Sequence, residues 1–442
     1  MHPYLESIPL APSLLGIAIL VCFGIYIRSS ARTNAQVADS KNTYSTYPTT
    51  PAYNNGKTTE NAQEPTSYPP INPLPNFNWE DTPPLAIRPF KPKYHLTMAI
   101  STLDPSELIP MDKTYKERLA LRKTLLESHP DTVRAVNMSK DTPEVNARIR
   151  EALCEWYAFI VGEYLPSRYP TMFRLADGEE GVVLENIVTG ARTWVDPDVV
   201  LRSFTSEVAE GDDVEEARLL HLMDILSSYI DEDFLILFPN PLSPSTTTTS
   251  PEEIPYTLQL YSTYYPAGFN PREKLGLPLA QIHTPVPGYK QKLEKSMDRF
   301  FARLEVGRFV VRANWSIMTP GARLFAAFGG LHDHSPEDLD LNGKNEKSER
   351  EVKEEIMDVE GFDGSDTYLR CERQTLHRLP KSKALVFAFH TYTYPIKDIR
   401  DEGLGEEMAV AIDGLKEGNV PGIHAYKRGA YWGEAVKKFL RS

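Results

Sequence analysis

The segment Arg272–Trp315 reads REKLGLPLAQIHTPVPGYKQKLEKSMDRFFARLEVGRFVVRANW and joins a rigid loop, an amphipathic helix and a strand. Pro285 and Pro287 fix their own φ and bias the residues before them towards extended conformations, so the backbone around His283 has few alternatives. An imidazole held in one orientation suits a metal or haem ligand. A single histidine beside a proline-rich turn is often a hydrogen-bonded loop residue instead, and spacing alone leaves both interpretations open.

Five strand-like runs, one of which begins within this segment, define the fold class. Apolar and polar residues alternate in several of these runs, as expected for strands with two different faces. They are Phe234–Phe238, Tyr256–Tyr265, Arg308–Ile317, Tyr368–Arg378 and Ala384–Tyr394. Their connections suggest antiparallel pairing, with the helix Tyr289–Leu304 as the one long crossover. We therefore predict an α+β fold in which an antiparallel sheet of about five strands carries helices on one face.

Further elements are expected before the sheet. Helical spacing of apolar residues predicts helices over Ser106–Glu127, Pro143–Leu165 and Val214–Tyr229. The runs Gly181–Asn186 and Ala191–Val195 predict a β-hairpin. Two polar segments read as insertions on the predicted sheet, namely Ser243–Glu253 and Asp338–Glu360.

The amino-terminal region predicts a membrane anchor. Ile8–Ile27 carries no charge and has about the 20 residues needed to cross a hydrocarbon core. Arg28 and Arg32 follow it directly, which is the reverse of a signal peptide and places the rest of the chain on the cytosolic side. The expected organisation is an anchor over residues 1–32, a disordered Pro/Ser/Thr-rich linker over 33–92 and a folded domain over 93–442.

Composition excludes several function classes. The chain of 442 residues has a net charge of −13, whereas a nucleic-acid-binding surface requires an excess of Lys and Arg. Cys22, Cys154 and Cys371 show neither zinc nor iron–sulfur spacing and fit a reducing compartment. The sequence contains no Gly-rich dinucleotide loop after a strand and no P-loop. We therefore expect no flavin, NAD or iron–sulfur site and no nucleic-acid partner.

An ordered set of short motifs resembles a known family. The motifs are Glu273–Gly276, Ile282–His283 with Pro285–Pro287 and Tyr289, Asn314–Ser316, Glu372–Leu376 and Arg378–Pro380. In this order the chain is similar to the alpha subunit of haem-dependent oxidative N-demethylase, over roughly residues 93–400. With its amino-terminal anchor it resembles a fungal-type member of that family.

The resemblance implies a fold, a cofactor and a reaction. The fold would be PAS-like, the cofactor haem, and the activity a monooxygenase-type N-demethylation of a small amine, with a separate reductase as electron donor. It makes His283 the expected ligand of the haem iron. The other candidates are Lys274 and Arg312 for cofactor binding and Asn314, Arg373 and Gln374 for catalysis. A haem- or small-ligand-sensing module and a membrane-tethered scaffold without a cofactor remain the alternatives.

The pleat of the predicted strand Tyr368–Arg378 divides its side chains. Cys371, Arg373 and Thr375 share one face, while Glu372, Gln374 and Leu376 share the other. Arg373 would bind a propionate or a substrate carboxylate if its face lines the pocket; otherwise it forms a structural ion pair.

Other histidines give weaker signals. His332 and His334 form an H-x-H pair that could face a metal, although Pro336 and the acidic residues after it favour a surface loop. His377 and His390 are expected to be structural, with their hydrogen bonds satisfied.

Overall fold

The computed structural model describes residues 65–205, 212–239, 255–319, 324–326 and 357–442. The predicted anchor Ile8–Ile27, the H-x-H pair and most of the two predicted insertions lie outside these ranges. Within them, no helix combines the length and the apolar character needed to span a membrane.

The described residues form two antiparallel sheets. The larger has seven strands in the order β1-β8-β9-β10-β6-β7-β2, and the smaller has three in the order β3-β4-β5. The strands are β1 (Ser101–Leu103), β2 (Arg134–Val136), β3 (Phe173–Gly178), β4 (Gly181–Asn186), β5 (Arg192–Trp194), β6 (Asp233–Pro239), β7 (Tyr256–Ser262), β8 (Phe309–Met318), β9 (Tyr368–Arg378) and β10 (Leu385–Pro395). The α+β class, the hairpin and the five predicted strands are confirmed. The sheet is larger than expected because two edge strands of three residues each are too short to show periodicity.

Helices flank the large sheet and follow it. They are α1 (Tyr115–Ser128), α2 (Pro130–Val133), α3 (Pro143–Phe159), α4 (Leu165–Arg168), α5 (Pro197–Ser203), α6 (Asp212–Tyr229), α7 (Leu279–Ile282), α8 (Tyr289–Lys292), α9 (Glu294–Arg303), α10 (Ile396–Asp401), α11 (Gly405–Glu417), α12 (Ile423–Tyr426) and α13 (Gly429–Leu440). A π-helical turn, Ile160–Tyr164, joins α3 to α4, and 3₁₀ turns occupy Pro105–Glu107 and Pro271–Lys274. The predicted helix Tyr289–Leu304 is divided at Leu293, which separates α8 from α9.

The two faces of the large sheet have different environments. On one, the covered face, Phe234 of β6 and His377 of β9 are fully buried. The centroid of the Trp156 ring of α3 lies 6.3 Å from that of Phe234 and 5.3 Å from that of His377. On the other, the open face, partly exposed side chains occupy the middle of long strands. These side chains are Leu235, Arg312, Asn314, Glu372, Gln374 and Phe387. A sheet face left open at its centre is where a ligand can be enclosed.

Part of the predicted linker belongs to the folded body. The Tyr68 ring stacks on Phe159 at 3.5 Å between centroids, and the amide of Leu74 donates to the carbonyl of Arg168 at 2.8 Å. This segment has no regular secondary structure, so apolar periodicity could not reveal it. The prediction of a disordered linker is therefore wrong for residues 68–74.

A crossing of two backbones ties the start of the body to its end. The amide of Tyr94 donates to the carbonyl of Gly414 in α11 at 3.0 Å, and the amide of Leu96 donates to Asn419 Oδ1 at 2.7 Å. A Cβ at Gly414 would collide with the carbonyl oxygen of Pro92. Only glycine allows this close approach.

A buried ion pair joins α1 to the large sheet. Asp233 Oδ1 lies 2.7 Å from Arg122 Nη1, and both side chains are 1% exposed. The Asp233 carboxylate also accepts from the amides of Tyr264 and Tyr265, at 3.0 and 2.8 Å. The Arg122 guanidinium donates to the carbonyl of Glu232 and lies 4.1 Å from the centre of the Tyr264 ring. One carboxylate therefore fixes α1, the start of β6 and the end of β7 relative to one another.

Asp233→Ala is expected to lower the free energy of unfolding by about 3–5 kcal/mol, because it removes the closest carboxylate of a buried guanidinium and the acceptor of two backbone amides. Urea denaturation followed by circular dichroism measures the change. Asp177→Ala, at an exposed position, serves as the control and is expected to stay within about 0.5 kcal/mol of the native chain. Equal stability of the two variants would contradict this account.

Candidate functional site

His283 directly follows α7 as its C-cap residue, and its ring is held in a fixed orientation. Its Nδ1 lies 2.8 Å from the carbonyl oxygen of Leu279, so Nδ1 carries the proton and donates it. The ring stacks on Tyr289 with 4.6 Å between centroids and 10° between planes. Among the described residues Nε2 has no hydrogen-bond partner. A histidine that donates Nδ1–H to a backbone carbonyl and presents a bare Nε2 has the arrangement usual for metal ligation.

Both ends of the His283 loop are anchored. Before it, the amide of Gly276 donates to the carbonyl of Leu258 at 2.9 Å, and the amide of Leu258 donates to the carbonyl of Leu277 at 3.1 Å. After it, Gly288 has φ +73°, and a Cβ there would lie 2.8 Å from Val420 Cγ2. The stiffness predicted from the two prolines is thus supplemented by contacts with β7 and with the residues before α12.

Two cations lie near His283. Burial lowers the pKa of the His283 imidazole, the hydrogen bond to Leu279 opposes this, and the charges of Arg312 and Lys274 lower it further. The ring is therefore kept neutral, which leaves the Nε2 lone pair available. The same two cations create a positive region suited to carboxylates.

The open face brings further polar groups to this region. Arg312 pairs with Gln374 across β8 and β9, and Asn314 pairs with Glu372. Gln374 Nε2 donates to Glu372 Oε2 at 3.0 Å. Burial lowers the pKa of Arg312, and the charge of Glu372 opposes this shift. Three of the six sequence-predicted residues, Arg312, Asn314 and Gln374, therefore share the open face, and His283 and Lys274 are near Arg312 in the loop beside it.

Arg373 lies on the covered face, opposite Arg312, Asn314 and Gln374. It is 2% exposed, and its guanidinium donates to the carbonyl of Leu108 at 3.1 Å and to that of Glu107 at 2.5 Å. These bonds hold the 3₁₀ turn and the residues after it against the sheet. The alternation of residues along β9 was predicted, but which of its faces is open depends on tertiary packing.

Glu372 and Lys427 were missed as candidates. Glu372 shares the face of Gln374, which its odd–even position could have signalled. Lys427 donates to Asn314 Oδ1 at 3.2 Å and to the carbonyl of Trp315, yet it is separated from them by more than 100 residues. Nothing in the local sequence of Lys427 indicates that contact.

The two buried histidines of the covered face are structural but not satisfied as predicted. Both ring nitrogens of His377 and of His390 are buried, and no hydrogen bond reaches them from the described residues. Burial lowers the pKa of His377 to about 3, and the ring stacks on Phe309 at 4.5 Å. His390 Nδ1 lies 3.3 Å from Glu232 Oε1. Burial lowers the pKa of His390 and raises that of Glu232, so both shifts favour the neutral forms.

The residues near the open face are of the types that would hold a haem group. His283 offers one neutral nitrogen, Arg312 and Lys274 suit the propionates, and Leu235 and Phe387, paired in register, give an apolar wall. Among the described residues no group of three or more His, Cys, Asp and Glu could hold a bare metal ion. A haem iron needs only one or two protein ligands, so a single histidine is sufficient.

The fold is that of an α+β protein with a seven-stranded and a three-stranded antiparallel sheet, and a single oriented histidine lies near the polar residues of the open face. The chain matches the family described as haem-dependent oxidative N-demethylase, alpha subunit-like, over residues 99–437, and it belongs to that family. No curated protein shows significant sequence similarity to it.

The charge state of Lys427 gives a test of the site. Burial lowers its pKa from 10.5 to about 8; the charge of Glu372 opposes this and that of Arg312 adds to it. Between these two pH values the unfolded chain binds a proton that the folded chain does not, so this residue makes the free energy of unfolding rise with pH. The rise is at most about 3 kcal/mol.

Lys427→Met is expected to lose this rise between pH 8 and 10.5, because the titrating ammonium is gone. Chemical denaturation at several pH values measures the slope in the variant and in the native chain. Lys416→Met, at an exposed position in α11, provides the control and should keep the native slope. Parallel curves for the native chain and Lys427→Met would refute the assignment.

Proposed function

We propose that the chain binds haem through His283 Nε2 and removes an N-methyl group from a small amine by oxidation. The observation that carries this proposal is the fixed His283 ring, with Nδ1 bound to the carbonyl of Leu279 and Nε2 bare beside Lys274 and Arg312. Membership of the family described as haem-dependent oxidative N-demethylase, alpha subunit-like, supports it.

The protein's own contribution is to bind, orient and exclude water. Lys274 and Arg312 would pair with the two propionates, since guanidinium and ammonium groups are good partners of carboxylates. Leu235 and Phe387 would cover the ring and keep water out. Tyr289 holds the imidazole plane by stacking, and the Leu279 carbonyl raises the basicity of the ring.

Haem bound in this site would supply the activation of dioxygen. Over the whole reaction the methyl carbon leaves as formaldehyde, carrying one oxygen atom. The other oxygen atom leaves as water, and two electrons and two protons are consumed. A separate reductase would supply the electrons.

The open face can orient the amine. A small secondary amine is a cation at neutral pH, and Glu372 places a carboxylate on the same face as Arg312 and Gln374. The bond from Gln374 Nε2 at 3.0 Å orients the Glu372 carboxylate. Asn314 and Gln374 would offer hydrogen bonds to the substrate or to bound oxygen. In this proposal Arg373 has a structural role.

We also propose that Ile8–Ile27 anchors the protein in a lipid bilayer, with the body in the cytosol, because Arg28 and Arg32 follow the apolar run. Protease added outside sealed microsomes should then digest the carboxyl terminus. Protection of the carboxyl terminus would argue for the opposite orientation.

His283→Ala is expected to abolish the Soret band of the purified chain and to leave its far-ultraviolet circular dichroism unchanged, because the ring is a ligand and not part of the core. Free imidazole should restore part of the band by occupying the space left. His332→Ala and His334→Ala are the controls and should keep the native spectrum. An unaltered spectrum in His283→Ala would remove this histidine as the ligand.

Glu372→Gln is expected to raise the KM for dimethylamine about tenfold, with a smaller effect on kcat, because it removes the charge that attracts the ammonium group. Formaldehyde release in the presence of an electron donor is the measurement. Glu305→Gln, at an exposed position, should behave like the native chain. If haem binds but a panel of secondary and tertiary amines yields no formaldehyde above the His283→Ala background, a haem-sensing module becomes the better assignment.

A further inference from the structure

Helices α8 and α9 expose a basic cleft in an acidic protein. Lys290, Lys292, Lys295 and Arg299 are exposed, and together with Gln291 and Ser296 they line one surface cleft. The whole chain has a net charge of −13. A local group of four cations therefore contrasts with the remainder of the molecule.

The orientation of the basic cleft is fixed by the core. Leu293, at the junction of the two helices, and Met297 and Phe301 of α9 are buried at intervals of four residues. Helical periodicity then turns Lys292, Lys295 and Arg299 outward. The direction of the basic side chains is thus a consequence of packing.

The four cations are not neutralised within the described part of the chain. None of them forms an ion pair with a described residue. Two acidic groups of α9, Glu294 and Asp298, are half-buried, and burial raises the pKa of Asp298, with Glu294 adding to it. The cleft therefore keeps a net positive charge available to a partner.

The basic cleft lies beside the cofactor ligand. Tyr289, the first residue of α8, stacks on the His283 ring at 4.6 Å. Lys290 follows Tyr289 directly. Arg299 lies ten residues after Tyr289, along two helices that rise about 1.5 Å per residue. A protein seated on the cleft would be brought within about 20 Å of His283.

We propose that the basic cleft is the docking site of the electron donor, a redox protein whose electron-delivering surface carries Asp and Glu. This inference rests on the proposed function, since only a haem that consumes electrons needs such a partner. Complementary charge at the cleft, with repulsion between the acidic partner and the rest of the molecule, would direct encounters to the side nearest His283.

An anionic membrane is the other surface that the cations could meet. A bilayer is flat and requires no particular distance from His283, whereas the cleft is recessed and lies next to the histidine. These two features favour a protein partner. The membrane is retained as an outcome of the test.

The experiment compares the full-length chain, in detergent, with a charge-reversal variant. The variant carries Lys292→Glu, Lys295→Glu and Arg299→Glu, and the matched control carries Lys116→Glu, Lys140→Glu and Lys397→Glu, at exposed positions elsewhere. The probe is an FMN flavodoxin, an acidic one-electron donor. Surface plasmon resonance measures its binding, and stopped-flow absorbance measures haem reduction by flavodoxin and by dithionite.

The native chain and the control are expected to bind flavodoxin with an affinity that falls as salt rises, while the charge-reversal variant binds at least about tenfold more weakly. Its reduction by flavodoxin should slow in parallel, and its reduction by dithionite should be unchanged. Equal loss in the control, salt-independent binding, or a native chain that dithionite reduces but flavodoxin does not would each overturn the docking site.

Two further results separate this inference from its alternatives. A native chain without a Soret band would overturn the proposed function and the docking site with it, whereas a normal band with charge-independent flavodoxin binding overturns the docking site alone. Loss of binding to phosphatidylserine vesicles in the charge-reversal variant, with unchanged flavodoxin binding, would assign the cleft to the membrane.

Discussion

The alternation of side chains along β9 is the constraint on which the rest of the site depends. Successive residues of a strand point to opposite faces, so Gln374 and Arg373 meet different environments although they are neighbours. Gln374 joins Glu372 on the open face, and Arg373 is sealed against the residues around Leu108. A shift of one residue in the pairing of β9 with β8 and β10 would exchange the two sets, burying Glu372 and exposing Arg373. The register is therefore a condition for the site as well as for the fold.

The parts of the fold that could be read from the sequence are those set by local periodicity. The five long strands alternate or are strongly apolar, and α3 and α6 repeat their apolar residues at helical intervals. The edge strands β1 and β2 have three residues each and give no such signal. Residues 68–74 pack without regular structure, so periodicity does not distinguish them from a linker.

The features of the site also divide into those that local sequence determines and those that tertiary packing determines. The stiffness of the His283 loop could be predicted because two prolines act locally, whereas the identity of the open face could not, because it is set by which side of the sheet α3 covers. Lys427 reaches Asn314 and Trp315 only through the path of the carboxyl-terminal helices. Long-range contacts of this kind leave no trace in spacing or composition.

The crossing of residues 92–96 over α11 has a consequence for the order in which the protein folds during synthesis. The amide of Leu96 and the side chain of Asn419 are 323 residues apart in the chain. Asn419 is therefore translated 323 residues after Leu96, and residues 92–96 have no partner in α11 until that part of the chain is made. Closing so long a loop is slow compared with forming local helices, and domains with such contacts complete their folding late. If translation stalls before α11, residues 92–96 lack their partners in the folded body. Such a nascent chain is incompletely folded and exposes surface to chaperones and proteases.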